Sequence, residues 1–183
     1  STLKASDWRQ LRGTKISMIF QNPSAYLNPN RTVENHFKDL FRAHGESYEI
    51  ARVIDMLKLV HLNDGERILQ SYPFQLSGGM QQRLAIALSL ILKPSIVFAD
   101  EPTSALDMLV QASVLDLMKE VTQALGATVI IVTHNIKSAA RIANSIGVMN
   151  KGQLVEVGST EEVMACPKDE YTRVLLDSVT KVV

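Results

Sequence analysis

Cysteine is almost missing from this chain: Cys166 is the single thiol in 183 residues. It cannot form an intramolecular disulfide, and one thiol offers no spacing from which to build a metal site, so a reducing compartment is expected. An excess of either charge is missing too. With 19 basic and 19 acidic side chains the formal net charge is zero, and nothing electrostatic draws the chain to nucleic acid or an anionic membrane. Long apolar runs are also lacking. The longest, around Leu84 to Leu92, is too short to span a bilayer, and the opening "STLKASDWRQLRGTK" has no apolar signal-peptide core. These absences predict a soluble, cytoplasmic chain. No internal repeat or low-complexity tract is evident, and a hydrophobic content of 46% suits one sizeable core rather than two. The first residue is Ser rather than Met, which leaves a processed product, a trimmed one and a piece of something longer all open.

What is present has a clear rhythm. "KISMIF" (Lys15 to Phe20) reads as a short buried strand, and "QNPSAYLNPNRT" after it as a loop leading out of the core. From Val33 to Leu62 the pattern is helical, with Val53, Ile54, Leu57 and Val60 at spacings of three and four, until Asn63, Asp64 and Gly65 break it. Beyond Gly79 a helix is predicted to about Lys93, stopped by Pro94, and "SIVFA" follows as a buried strand ending at Asp100. The order repeats. A stripe of Val110, Val114, Leu117, Met118, Val121 and Leu125 marks a helix ending near Gly126, and a strand follows from Thr128 to Thr133. Next come a helix from about Ile136 to Ala143, a strand from Ile146 to Met149, a Lys151-Gly152 turn and a strand from Gln153 to Val157. Strands separated by helices imply a largely parallel sheet whose ligand site lies at the strand carboxyl ends.

Three of those ends carry polar groups: Gln21, the pair Asp100 and Glu101, and the pair Thr133 and His134. Each alone could be a residue leaving the core, but together they suggest one site. An Asp closing an apolar strand can hold Mg²⁺, usually through water, while the neighbouring carboxylate orients the water that attacks a γ-phosphate. A His at the next strand end can donate to that phosphate or position the water, and a loop Gln can contact the metal or the water. In "LSGGMQQR", two glycines before a helix permit close backbone approach. The free N–H groups of Ser77, Gly78 and Gly79 make an anion site there, with Ser77 as N-cap and Gln81, Gln82 and Arg83 flanking it.

These segments resemble the ATP-binding cassette (ABC) ATPases. "LSGGMQQR" looks like their signature motif, "SIVFADE" like the Walker B strand with its catalytic Glu, and "SALD" (Ser104 to Asp107) like the D-loop. His134 resembles the switch histidine and Gln21 the Q-loop glutamine. "MIFQNPSAYLNP", "YPFQLSGGM" and "DEPTSALD" are similar to ATP-binding subunits of the peptide and nickel importer group. "PKDEYTRVLLDSV" resembles that group's Pro-His-Pro-Tyr-Thr stretch but departs from it at Lys168, Asp169 and Glu170.

The resemblance implies an α/β fold: a P-loop NTPase (RecA-like) parallel sheet with an inserted helical subdomain, N-terminally truncated relative to the family. The helical subdomain with the signature motif would span about 30–92, the core 15–29 and 93–158, and C-terminal helices 159–183. It implies ATP and Mg²⁺ as cofactors. Catalysis would fall to Glu101, His134 and Gln21, metal binding to Asp100 and Gln21, and nucleotide contact to Ser77, Gly78, Gly79, Gln81 and Asp107. In a head-to-tail dimer with a second ABC ATPase, identical or paralogous, Ser77 to Gly79 would meet the partner's ATP. Asp107 would cross the interface, a role compatible with capping the helix at Met108. Further implied partners are transmembrane permease subunits docking on the helical middle and, indirectly, an extracytoplasmic substrate-binding protein. Nucleic acid is not one, and the location would be peripheral, on the cytoplasmic face of the membrane.

One family part has no match within these residues. Gly-x-x-x-x-Gly-Lys followed by Ser or Thr should precede Gln21, but "RGTKIS" offers Gly13 no partner glycine and has Ile16 where Ser or Thr belongs. Charge-assisted hydrogen bonds to phosphate are worth about 1.5 to 3 kcal/mol each. Losing three weakens ATP binding by about 10⁴-fold. The residues as written are therefore expected not to hydrolyse ATP in cis. The leading expectation is an importer ATPase whose P-loop lies upstream; the alternative is a non-hydrolytic ABC fragment or pseudo-ATPase. A DNA-repair or translation ABC protein is disfavoured, because only 54 residues separate Gln21 from Leu76, without a heptad insertion. The missing strand is expected beside the one ending at Asp100, leaving an exposed apolar face and a marginally stable or aggregation-prone polypeptide. Cys166, Trp8, His36, His44 and His61 read as inert, packing or surface side chains.

Overall fold

A computed structural model describes residues 4–180; residues 181–183 of the expected C-terminal helical stretch lie outside it. The chain forms two compact units, one up to Val132 and one from Thr133 onward.

The first unit opens with α1 (Ala5–Leu11), a helix of less than two turns and not anticipated from the sequence. "RGTKIS" is a turn, with Gly13 at φ +81° donating to the Ile16 carbonyl, and it leads into β1 (Ile16–Ile19) as expected of a segment that is no phosphate loop. A short 3-10 turn (Pro23–Ala25) follows. The helical stretch expected from Val33 to Leu62 is two helices, α2 (Val33–Ala43) and α3 (Ile50–Leu59), parted by Gly45 at φ +69°. Gly65 ends nothing; it starts α4 (Gly65–Gln70). A second 3-10 turn (Pro73–Gln75) precedes α5 (Gly78–Leu90), and β2 (Ile96–Asp100), α6 (Met108–Leu125) and β3 (Thr128–Val132) complete the unit. α6 stops where Gly126 turns left-handed at φ +66°, a conformation that costs a side chain more than it costs glycine.

The sheet is parallel in the order β1-β2-β3, with Ile19 opposite Ala99 opposite Ile131. Both ladder edges of β2 are therefore filled. The expectation that an absent strand lies beside the one ending at Asp100 is corrected: the open edges belong to β1 and β3. α5 packs against β1 and α6 and covers one sheet face, burying Ile19, Val97 and Ala99 with Leu84, Ile86, Leu90, Leu117 and Met118. Each of these side chains larger than alanine contributes about 1.5–3 kcal/mol of burial. The strands were read as buried, with an apolar face left exposed. Within this unit one face is open, and Met18, Phe98 and Ile130, aligned across all three strands, are 42%, 38% and 44% exposed.

The second unit comprises α7 (Ile136–Ile142), β4 (Ser145–Asn150), β5 (Gln153–Ser159), α8 (Thr160–Ala165) and α9 (Glu170–Thr180). β4 and β5 form an antiparallel hairpin closed by Lys151 and Gly152, both at positive φ, as a tight two-residue turn requires. Ile146, Val148 and Val163 form its core. The Glu156 carboxylate is held below the usual glutamate range chiefly by the Lys168 N–H, which donates to it at 2.9 Å, with the Asp169 N–H at 3.1 Å.

Candidate functional site

Parallel pairing fixes where the polar strand ends emerge. Since Ile19 aligns with Ala99, Gln21, Asp100 and Glu101 leave the sheet at the same end. Asp100 is the last residue of β2, aligned with Val132, and both it and Gln21 are exposed. Glu101 is half-buried and left-handed, at φ +45°. A non-glycine residue there carries roughly 1–2 kcal/mol of strain, and such residues cluster at functional sites. Its backbone is held in place: its N–H donates to the Val132 carbonyl at 2.9 Å, and its own carbonyl accepts from the Ser104 N–H at 3.2 Å and the Ser104 Oγ–H at 3.1 Å. The side chain is thereby turned away from the direction a continuing strand would give it. His134 follows β3 by two residues and belongs to the second unit, exposed, between Thr133 and the helix cap Asn135.

The glycine turn is built as the sequence predicts. Ser77 caps α5, its hydroxyl oxygen accepting from the Met80 N–H at 3.3 Å, and Ser77 and Gly78 are exposed. Gly79 is closely approached: a Cβ there would lie 3.1 Å from Val110 Cγ1, so that side chain would have to give by a few tenths of an ångström. Asp107 caps α6 by accepting from the Val110 N–H at 3.0 Å, so the starts of α5 and α6 meet at Gly79 and Val110. Gln81 braces the turn from behind, donating through Nε2 to the Pro73 carbonyl at 3.0 Å and the Leu76 carbonyl at 3.1 Å.

Two features escaped the sequence reading. Arg83 reaches both the Val60 carbonyl at 3.4 Å and Ser113 Oγ at 2.9 Å, tying α5 to the end of α3 and to α6. Tyr72 and Phe74 stack at 5.6 Å between centroids, and Phe74 is 68% exposed. "YPF" was the only available signal for that pair.

No group of three or more His, Cys, Asp or Glu side chains able to hold a metal occurs among the described residues. Mg²⁺ does not need one: it keeps several waters and is bound through one or two carboxylates plus phosphate. Asp100 with the Gln21 amide oxygen fits that donor chemistry.

The ABC transporter family pattern matches residues 2–104. The chain is 42% identical over 185 residues to the dipeptide transport ATP-binding protein DppD of Caldanaerobacter subterraneus subsp. tengcongensis, covering 99% of this chain and 56% of that protein. It is 41% identical over 171 residues to the oligopeptide transport ATP-binding protein OppD of Lactococcus lactis subsp. cremoris, covering 92% of this chain and 51% of that protein. It thus spans about half the length of these relatives. Among solved structures, the dimeric ATP-binding cassette MJ0796, in a post-hydrolysis state bound to ADP and Pi, matches with a TM-score of 0.72. Identity there is 30%, over 87% of this chain and 68% of that one.

Proposed function

Because this chain belongs to the ABC transporter family, we propose that it works as part of the ATP-binding and ATP-hydrolysing subunit of a peptide importer. The observation that carries the reading is the end of β2: Asp100 and Glu101 side by side, the second held left-handed, at the same sheet end as Gln21. The names of its relatives, dipeptide and oligopeptide transport ATP-binding proteins, favour peptides as cargo over nickel.

In this reading the Glu101 carboxylate orients and polarises the water that attacks the γ-phosphate. The Asp100 carboxylate and the Gln21 amide oxygen would hold Mg²⁺ through its waters, and the metal would offset phosphate charge when bound. The His134 imidazole donates to the γ-phosphate or positions the water. The backbone N–H groups of Ser77, Gly78 and Gly79, at the positive end of α5, receive the ATP of a second ABC ATPase subunit, and Gln81 keeps that turn in shape. Asp107 reaches the facing subunit while capping α6. The helical stretch between Gln21 and Ser77 receives permease subunits at the cytoplasmic face of the membrane, where nucleotide closure drives transport. A substrate-binding protein outside the cell selects the cargo, and nucleic acid has no part.

The test is ATP turnover by the natural gene product, reconstituted with its permease, against Glu101→Gln. Loss of 10²–10⁴-fold in turnover is expected, with ATP binding retained. A variant that turns over ATP like the wild type would refute the assignment. Absence of both binding and turnover in the wild type would favour the non-hydrolytic alternative.

A further inference from the structure

The loop leaving Gln21 is fixed along its course. Asn22 Oδ1 accepts from the Ser24 N–H at 3.1 Å and its Oγ–H at 2.7 Å, and the Phe20 and Tyr26 rings meet across the 3-10 turn at 5.4 Å between centroids. Leu27 is buried, its N–H donating to the Pro23 carbonyl at 3.0 Å. One residue on, the Asn28 N–H donates to His36 Nε2 at 2.9 Å, while His36 Nδ1 lies 2.8 Å from the Thr32 carbonyl oxygen. A backbone N–H can only donate and a carbonyl can only accept. The ring must therefore carry its proton on Nδ1 and a lone pair on Nε2.

We propose that His36 is a positioning residue whose neutral, Nδ1-protonated ring latches the loop leaving Gln21 to the first turn of α2. The inference rests on the role given to Gln21 above. α2 is also tied to the glycine turn, because the Val33 N–H donates to the Ser71 carbonyl at 2.9 Å, six residues before Ser77. One helix start thus holds both the Gln21 loop and the segment entering the signature turn. A ring carrying both protons has no lone pair, so protonation opens the latch. Most surrounding charges are engaged elsewhere. On α2 itself, Glu34 pairs with Lys38, and Asp39 with Arg31 and Arg42. On α4, which packs against α2, Arg67 pairs with Asp64 beside Glu66, and on α5 Arg83 is bonded to Val60 and Ser113. None of these is ion-paired with His36 among the described residues.

Two measurements on the natural full-length protein test this. The first follows the His36 ring nitrogens and the Asn28 and Phe37 amides by NMR as pH is lowered. Expected are the Nδ1–H tautomer and an Asn28 amide that exchanges about tenfold faster once the ring is protonated, with Phe37 still protected. An Nε2–H tautomer, an Asn28 amide indifferent to ring protonation, or Phe37 opening together with Asn28 would each overturn the latch. The second compares pH profiles of ATP turnover for the wild type, His36→Gln and His36→Leu. Gln offers an acceptor that does not titrate, so it should keep most of the neutral-pH rate and flatten the acid limb, whereas Leu should lower kcat across the range. An unchanged acid limb in His36→Gln would overturn the positioning role. No turnover in any protein would count against the ATPase reading instead, leaving the NMR result to decide the latch.

Discussion

At the scale of single residues, conformation and contact separate chemistry from scaffolding. Glu101 is left-handed because Val132 and Ser104 hold its backbone, so its orientation and its carboxylate are separable. Ser104→Ala removes one of the two bonds to the Glu101 carbonyl. About a tenfold loss of kcat with little change in KM is expected in steady-state assays, against a far larger loss for Glu101→Gln. Gly79 faces a different constraint. Gly79→Val places branched methyls where a Cβ alone would already lie 3.1 Å from Val110, and about 1–3 kcal/mol of destabilisation by denaturant titration is expected. Arg52 joins three groups: the Ile91 carbonyl at 2.6 Å, the Glu46 carboxylate at 2.6 Å and the Phe41 ring at 5.0 Å. Arg52→Ala should cost about 2 kcal/mol, mostly through the charge-assisted bond to the carbonyl, readable as a lowered melting temperature.

At the scale of elements, punctuation was legible and partnership was not. Ser77, Asp107 and Gly126 mark boundaries by local chemistry, a hydroxyl or carboxylate accepting from the first turn or a glycine turning left-handed, and the structure uses them so. The polar strand ends were legible too, because a parallel sheet emits them at one edge. The helices α1 and α4 were missed because they hold less than two turns and no N-cap side chain bonds their starts, whereas the equally short α7 is announced by its cap Asn135. The order β1-β2-β3 and the one-sided cover of that sheet depend on contacts distant in sequence, which no local pattern encodes. The hold of β5 on the segment that enters α9 was equally hidden, since Glu156 accepts from Lys168 and Asp169 across a separation that no local pattern encodes. It should be visible in acid. A carboxylate whose folded pKa is lowered contributes stability that is fully present above its unfolded value, near 4.3, and lost as pH falls through the folded one. Acid melts of Glu156→Gln should therefore show a shallower loss below about pH 4 than the wild type.

At the scale of the whole molecule, the open face of the three-stranded sheet is expected to govern how the isolated polypeptide behaves in solution. Met18, Phe98 and Ile130 form one apolar row, with Phe20, just past β1, and Val132, the last residue of β3, also exposed. Exposed rows of this kind promote association. The isolated 183-residue polypeptide is predicted to self-associate, and Met18→Lys should reduce light scattering with only a small fall in melting temperature, since Met18 is partly exposed and a lysine stem can cover the same surface. A sharp cooperative melt from a monodisperse wild-type monomer would contradict this. No helix among the described residues is long and apolar enough to cross a membrane.

The central place of β2 has one more consequence. Sheets fray from their margins inward, so exchange and partial opening should begin at β1 and β3 and reach β2 last. Asp100 closes, and Glu101 directly follows, the strand with the longest expected lifetime. Under mild stress, the residues that would address nucleotide should keep their aim after their surroundings have begun to loosen, and activity should be lost by separation of parts before loss of the acids themselves.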